Sequence, residues 1–145
     1  MIKDDIILTG KVRITVKNKE GNVIEDVTYK NLVVTTGKNH IADRMKNNST
    51  AMSHMAVGTG TTSAAAGQTA LVSESARVAL TSSTVSTNTI EYVGTFPAGT
   101  GTAALTEAAV LNASSSGTML CRTVFTVINK GSADSLVITW TITVG

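Results

Sequence analysis

The sequence predicts a mainly β protein, an antiparallel β-sandwich or jelly-roll-like domain with one short α-helix. Three observations predict this class: several segments alternate polar and apolar residues with a period of two, one segment has helical spacing, and clusters of Gly, Ser, Thr and Asn separate the short apolar runs. A chain of 145 residues has the usual size of one domain. We therefore expect a single β-sandwich domain over residues 11–145, preceded by a candidate N-terminal arm over residues 1–10.

The first two strands are predicted to form a hairpin. Lys11–Lys17 alternates polar and apolar residues, as a half-exposed strand does. Residues 18–22 are turn-forming and include Gly21, which tolerates positive φ, and Val23–Tyr29 then resumes an extended pattern. We expect the second strand to continue through residues 31–34.

The one predicted helix covers Lys38–Lys46. Within it Ile41 and Met45 recur at helical spacing, while Thr36 is the candidate N-cap and residues 47–48 are the candidate stop. A helix of about three turns is not stable alone. Ile41 and Met45 are therefore expected to pack on the sheet.

Further strands are predicted where apolar residues alternate between loops rich in Gly and Ser. Residues 106–111 form a short apolar run that fits either a strand or a helix. Residues 129–134 predict a hairpin turn with Gly131 at positive φ. The last strand, 136–144, places Trp140 on its apolar face, so Trp140 is the candidate core anchor. The other predicted strands cover residues 52–57, 76–81, 89–96 and 119–129.

Charged residues are rare in the last 95 residues, which contain seven of them together with thirty Ser and Thr. An average soluble domain has about a quarter of its residues charged. Depletion on this scale predicts a hydroxyl-covered surface that partner proteins bury. Nucleic-acid binding is not expected, because the chain has no dense basic stripe with interleaved aromatic residues. Membrane insertion is not expected either, because no apolar run reaches ~20 residues and the N-terminus has no signal-peptide pattern.

No motif predicts a catalytic, cofactor or metal site, and we expect no enzymatic activity. The Gly-rich segment Gly58–Thr62 lacks the Lys of a phosphate-binding loop. His40 and His54 have no Cys, Asp or Glu at ligand spacing, and no Ser lies in a nucleophile elbow. Cys121 lies in an alternating apolar run and is expected to be buried.

Four charged residues are isolated in apolar or hydroxyl-rich stretches, and they are the candidate ion-pair or interface residues: Glu74, Arg77, Glu107 and Arg122. An unpaired ion is costly when it is buried. These residues therefore pair with one another, pair with a neighbouring subunit, or face water. The sequence leaves the three alternatives open.

A family resemblance is carried by eight short segments in a fixed order, together with Glu74 and Arg77. The segments are residues 31–37, 39–42, 55–62, 68–71, 105–108, 119–125, 128–131 and 136–143. In this order they resemble a family of small virion structural proteins of tailed bacteriophages. The likeness extends over most of residues 30–145. Its specificity comes from the order of the segments, since each segment alone is low in information.

This resemblance implies a protein that is made in the host cytoplasm and located on the virion. A compact chain without heptads or repeats fits a capsid decoration (cement) protein better than a tail-fibre shaft. In that interpretation the protein is a homotrimer that binds over junctions between subunits of the major capsid protein. The candidate arm, with Lys3, Asp4 and Asp5, would then contact the shell or a neighbouring copy.

Two alternatives stay open beside the capsid interpretation. One is a tail-fibre or baseplate component of the same kind of particle. The other is a carbohydrate-binding module of the virion. Sugar rings stack on exposed aromatic side chains, and the positions where exposure is expected are Tyr29, Tyr92 and Phe96.

Overall fold

The computed structural model describes residues 5–145 and confirms a mainly β fold with one short helix. The first strands form the predicted hairpin around residues 18–22. Residues 106–111, which the sequence left open, belong to a strand. The elements are β1 (Leu8–Lys17), β2 (Val23–Lys30), β3 (Leu32–Val33), α1 (Thr35–Arg44), β4 (His54–Gly58), β5 (Glu74–Ser86), β6 (Thr89–Phe96), β7 (Ala103–Leu111), β8 (Met119–Lys130) and β9 (Ser135–Val144).

The strands pair only antiparallel in the described part of the chain, in the spatial order β2-β1-β9-β6-β5-β4-β7-β8-β3. They form two layers. The first contains β2, β1, β9, β6 and the second half of β5, and the second contains the first half of β5, β4, β7, β8 and β3. The result is a sandwich that nearly closes into a barrel.

The long strand β5 joins the two layers. Residues 74–79 pair with β4, and residues 80–86 pair with β6. A β-bulge between Leu80 and Ser82 separates the two halves. Since a bulge bends its strand and increases the local twist, β5 turns there from one layer into the other.

A second corner lies where Asn31 alone separates β2 from β3. Here β2 pairs with β1 in the first layer, while β3 pairs with β8 in the second. Gly10 of β1 lies against this corner, and a Cβ atom on Gly10 would come 1.5 Å from Oδ1 of Asn31. A side chain at residue 10 would therefore displace the Asn31 amide from this corner.

The main core fills the space between the layers. Alternate residues of β9 are buried, as the last predicted strand requires, and Trp140 is completely buried between Val12 of β1 and Tyr92 of β6. Full burial of each large aliphatic side chain stabilises the fold by about 1.5–3 kcal/mol. The large apolar residues of this core include Ile14, Met55, Leu105, Phe125, Ile128, Leu136 and Ile138.

A smaller cluster covers the outer face of the second layer. Its members come from β4, β7 and β8 and from two segments outside them, the chain just before α1 and the loop between β4 and β5. Both faces of β7 are consequently buried, which explains why residues 106–111 lack the alternation of a half-exposed strand. The cluster contains Val34, Ala56, Leu71, Ala109, Leu111 and Met119.

The helix differs from its prediction at both ends. It begins at Thr35 after Val34, which makes no side-chain cap, so Thr36 is not the N-cap. The Thr36 hydroxyl instead donates to the Met119 carbonyl at 2.8 Å, which ties the helix start to β8. Ile41 packs on the core, but Met45 is 82% exposed, because the helix ends at Arg44 and directs Met45 away from the sheet. Among the described residues, no helix has the length and apolar character of a bilayer span.

Three other expectations about local structure are corrected. β1 begins at Leu8, so residues 8–10 belong to the sheet and not to an arm. The turn before β9 does not place Gly131 at positive φ. There the Gly131 N–H donates to the Asp134 carboxylate at 2.8 Å, and this side-chain contact closes the turn. β5 continues to Ser86, five residues beyond its predicted end.

Candidate functional site

A buried ion pair joins β7 to β8. Arg122 donates to Oε2 of Glu107 through Nη2 at 2.7 Å and through Nε at 3.1 Å, and both side chains are completely buried. Arg122 pairs in register with Ala109, so it reaches Glu107 diagonally on the same face of the sheet. Two of the four isolated charges are thus brought together inside one chain.

The Glu107 carboxylate also accepts three backbone N–H groups from residues 59–73, the loop between β4 and β5. The Ser73 and Gly60 N–H groups donate to Oε1 at 2.7 and 3.0 Å, and the Val72 N–H donates to Oε2 at 3.0 Å. The loop is therefore bound at both of its ends. We call Glu107, Arg122 and this loop the carboxylate clamp.

The other side of the guanidinium holds the middle of the same loop. Nη1 of Arg122 donates to the Thr62 carbonyl at 3.0 Å and to Oε1 of Gln68 at 2.8 Å. Thr106, beside Glu107, donates its hydroxyl to the Gly60 carbonyl at 2.8 Å. These contacts place the loop over the outer face of the second layer, where Leu71 completes the smaller cluster.

Two glycines of the Gly-rich segment lie where a side chain would collide with this carboxylate and with residues 72–73 of the loop. A Cβ atom on Gly58 or Gly60 would come 2.6 or 2.5 Å from Oε1 of Glu107. A segment with the glycine content of a phosphate-binding loop therefore surrounds an anion that belongs to the chain itself. The pattern of two glycines together with an isolated glutamate in a later strand is the signal in the sequence that corresponds to the clamp.

Glu107 is held as a carboxylate. Burial alone would raise the pKa of Glu107, but the hydrogen bonds from Ser73, Arg122, Val72 and Gly60 outweigh it and lower the pKa below the ordinary value. Each oxygen is already occupied by at least two donors. The arrangement fits a structural tie, because a general acid or base needs an oxygen that can reach a substrate proton.

The lowered pKa of Glu107 predicts a loss of stability in acid. A carboxylate whose pKa is lower in the folded state than in the unfolded state stabilises the fold above its unfolded pKa, about 4.3 for Glu. This contribution is lost as the pH falls through the folded pKa. Denaturant titrations between neutral pH and acid should show a steeper loss for wild type than for E107Q. Parallel curves would contradict the prediction, and E20Q, which removes an exposed carboxylate, serves as the control.

Glu74 and Arg77 form a second pair near the end of the sandwich. Residues three apart on a regular strand face opposite sides, but the β-bulge at Ser75 brings these two to the same side of β5. Arg77 binds both carboxylate oxygens, at 2.9 and 2.7 Å. Its Nη1 also donates to the carbonyls of Ala113 and Ser116 in the β7–β8 loop, both at 2.9 Å. This pair therefore holds a loop, as the clamp does.

Lys130 is a buried charge that the sequence did not single out. Only 2% of it is exposed, and Nζ donates to the Pro97 carbonyl at 3.0 Å and to the Asp134 carbonyl at 2.7 Å. Burial lowers the pKa of Lys130, and Asp134 opposes the shift. The ammonium group joins the turn after β6 to the turn before β9. In the sequence, the feature that could have identified Lys130 is its position directly before the Gly-containing turn of residues 131–134.

The aromatic residues offer no open platform. Tyr92 and Phe96, where exposure was expected, are 6% and 0% exposed, and half-buried Tyr29 packs against Phe125 with ring centroids 5.6 Å apart. The expectation of exposure is wrong for Tyr92 and Phe96, because alternate residues of β6 face the core.

Cys121 is buried as predicted. Burial raises the pKa of its thiol, which makes Cys121 a poor nucleophile.

An apolar cleft of about 230 Å³ lies between α1 and the ends of β1, β6, β8 and β9. Tyr92, whose pKa burial raises to about 12, lies in its wall, together with His40 and Arg44 of the helix. Burial lowers the pKa of His40, and Arg44 adds to the effect. Its other lining residues are Leu8, Ile41, Ala51, Met52, Ile90, Leu120, Ile142 and Val144.

The remaining candidate residues belong to the N-terminal arm. Lys3 and Asp4 lie outside the described residues, and Asp5 is exposed. Ile6 and Ile7 next to it are 75% and 56% exposed.

Over residues 5–145 no group of three or more His, Cys, Asp or Glu side chains is arranged to hold a metal ion. No protein-family model, curated protein or solved structure matches the chain.

Proposed function

We propose that the protein is a structural component of a virus particle, a capsid decoration (cement) protein of a tailed bacteriophage. In this role it binds over the junctions between subunits of the major capsid protein and stabilises the shell. It acts through adhesion and has no catalytic step. The family resemblance of residues 30–145 supports the kind of particle, and the surface of the fold supports the adhesive role.

The observation that carries the proposal is the uneven distribution of charge on the surface. Residues 51–145 contain seven charged side chains. Three of them are buried and two pair with each other, which leaves Glu91 and Asp134. In contrast, the β1–β2 hairpin and α1 expose many charges, among them Lys11, Lys17 and Lys38.

A neutral surface of hydroxyl groups suits lasting contact with protein. Removing an ion from water costs far more than removing a hydroxyl that finds a hydrogen-bond partner. Stable interfaces bury about 1,200–2,000 Å² in total, and over such an area the absence of ions makes a large difference. The carboxylate clamp fixes the longest loop of this surface in advance, which reduces the entropy lost on binding.

The proposal is tested on particles produced with and without this chain. We expect particles that lack it to release their DNA at a lower temperature, and purified protein to bind their heads and restore the wild-type temperature. Immunogold labelling in negative stain locates the bound protein. A label on the tail would overturn the capsid role in favour of a tail component, and equal robustness of both kinds of particle would overturn any stabilising role.

Two matched triple variants identify the surface that binds. S115K/T126K/S132K places three charges on exposed hydroxyl positions, and K11Q/K19Q/K46Q removes three exposed charges from the hairpin and from the turn after α1. We expect the first variant to bind heads at least about tenfold more weakly, because a buried unpaired lysine is costly. The second variant should bind like wild type. The reverse order would show that the charged surface makes the contact.

A further inference from the structure

The second half of β5, residues 81–86, is an open sheet edge. It pairs with β6 on one side, and no other described strand pairs with residues 82–86 on the other side. Every residue from 81 to 88 is exposed, so both faces of the strand and its free backbone groups are in contact with water. A free edge of this kind is a template for another strand.

This edge lacks the charged residues and prolines that protect such strands in soluble proteins. Its sequence, Thr-Ser-Ser-Thr-Val-Ser, contains no charge and no proline, and Val85 is 70% exposed. The edge strand at the other end of the first layer, β2, carries Glu25, Asp26 and Lys30. Charged residues, especially lysine, prevent the pairing of free edges. The first layer therefore has one edge strand that charged residues protect, β2, and one edge without charged residues, the second half of β5.

We propose that the β5 edges of two copies of this chain pair antiparallel about a two-fold axis and join their first layers into one continuous sheet. A second copy is the occupant that fits, because an antiparallel edge presents the same pattern of donors and acceptors to its own copy. The neutral sequence also brings no like charges together across the axis. This inference concerns the purified chain alone and is independent of the proposed capsid role.

The pairing of β5 with β6 shows which side chains meet. Ser83 and Val85 are in register with Tyr92 and Ile90, whose side chains face the core side of the layer. If both copies keep their cores on the same side of the joined sheet, Ser83 and Val85 of one copy meet Ser83 and Val85 of the other.

The contact is small, so the dimer should be weak. Six residues of edge bury less than the total of about 1,200 Å² found in most stable interfaces. We expect a dimer that forms with rising concentration and that is favoured when a larger assembly holds copies close together. Two-fold pairing predicts a dimer and so departs from the trimer that the family resemblance implies.

The test uses the full chain in analytical ultracentrifugation over a wide range of concentrations. Wild type should change from monomer to dimer. S83K/V85K and S83E/V85E should each raise the dissociation constant at least about tenfold, because like charges then lie opposite each other. An equimolar mixture of the two variants should regain the dimer, since each lysine then meets a glutamate. A misfolded or generally weakened protein would not recover on mixing.

The control variant is I24K/T28K, which adds the same charge to exposed positions on the β2 edge. It should dimerise like wild type. As a second measurement, S83C and T84C are oxidised in separate experiments. If the two-fold axis passes through one of these residues, the cysteine at that position lies opposite the same cysteine of the second copy and forms a disulfide-linked dimer. Cys121 is buried and does not cross-link. The proposal is overturned if wild type stays monomeric, if the lysine and glutamate variants dimerise normally, if mixing restores nothing, or if neither cysteine variant cross-links.

Discussion

Replacing Arg122 with methionine is expected to lower the free energy of unfolding by about 3–5 kcal/mol, because Glu107 then keeps a buried charge without its counter-ion. The methionine retains much of the apolar stem but none of the donors. The Thr62 carbonyl and the Gln68 side chain also lose their partner. Unfolding in denaturant is followed by the fluorescence of Trp140, which is the one tryptophan of the chain.

A double-mutant cycle separates the ion pair from its surroundings. E107Q alone leaves the guanidinium buried and uncompensated, so it should cost about as much as R122M, on the order of 3–5 kcal/mol. The double variant E107Q/R122M removes both charges and should be more stable than the sum of the two single losses predicts. Additive losses would show that the two charges do not interact energetically.

The chain contains its own control for this prediction. Arg13 and Asp26 form a similar cross-strand pair, with the same shortest distance of 2.7 Å, but their side chains are 60% and 40% exposed. R13M should therefore cost much less than R122M, because exposed ion pairs contribute little to stability. Equal losses for R13M and R122M would contradict the view that burial makes the clamp important.

Hydrogen exchange can locate the effect of R122M. The N–H groups of Gly60, Val72 and Ser73 donate to Glu107, and they should exchange faster once the clamp is weakened. Amides in the centre of β9 should be affected only through global unfolding. A uniform increase over the whole chain would mean that the loop has no independent opening.

The sequence was sufficient to predict the strands that have one face in the core and one in solvent. β1 and β9 are of this kind, so their residues alternate. β7 could not be assigned, because a cluster on each of its faces removes the alternation. The end of β5 was missed for the opposite reason. Both of its faces are exposed, so residues 82–86 have no buried positions to reveal the period.

The partners of the isolated charges were beyond sequence analysis for a geometric reason. Glu74 and Arg77 share a side of β5 only because one residue is bulged between them. Glu107 and Arg122 meet because of the register between β7 and β8, which contains its own bulges. A shift of one residue would turn every side chain of a strand to the other face. Pairing therefore depends on bulges whose positions the residue pattern does not specify.

Replacing Trp140 with alanine is expected to lower the free energy of unfolding by about 3–5 kcal/mol, the usual cost of removing a large aromatic side chain from a core. Trp140 is completely buried in the strand that lies between β1 and β6. The cavity left behind would border both neighbouring strands. Because the variant has no tryptophan, its unfolding must be followed by circular dichroism. A loss below about 1 kcal/mol would contradict its role as core anchor.

Phenylalanine at the same position distinguishes the packing of the ring from its polar group. Nε1 of Trp140 is buried and has no hydrogen-bond partner among the described residues, and a buried donor without a partner is destabilising by about 1–3 kcal/mol. W140F removes this donor together with part of the ring, so the two effects oppose each other. Its loss should be clearly smaller than that of W140A, while T141A, on the opposite face of β9, should cost less than about 1 kcal/mol. If W140F costs as much as W140A, the indole N–H is satisfied in solution and the volume of the ring alone does not explain the stability.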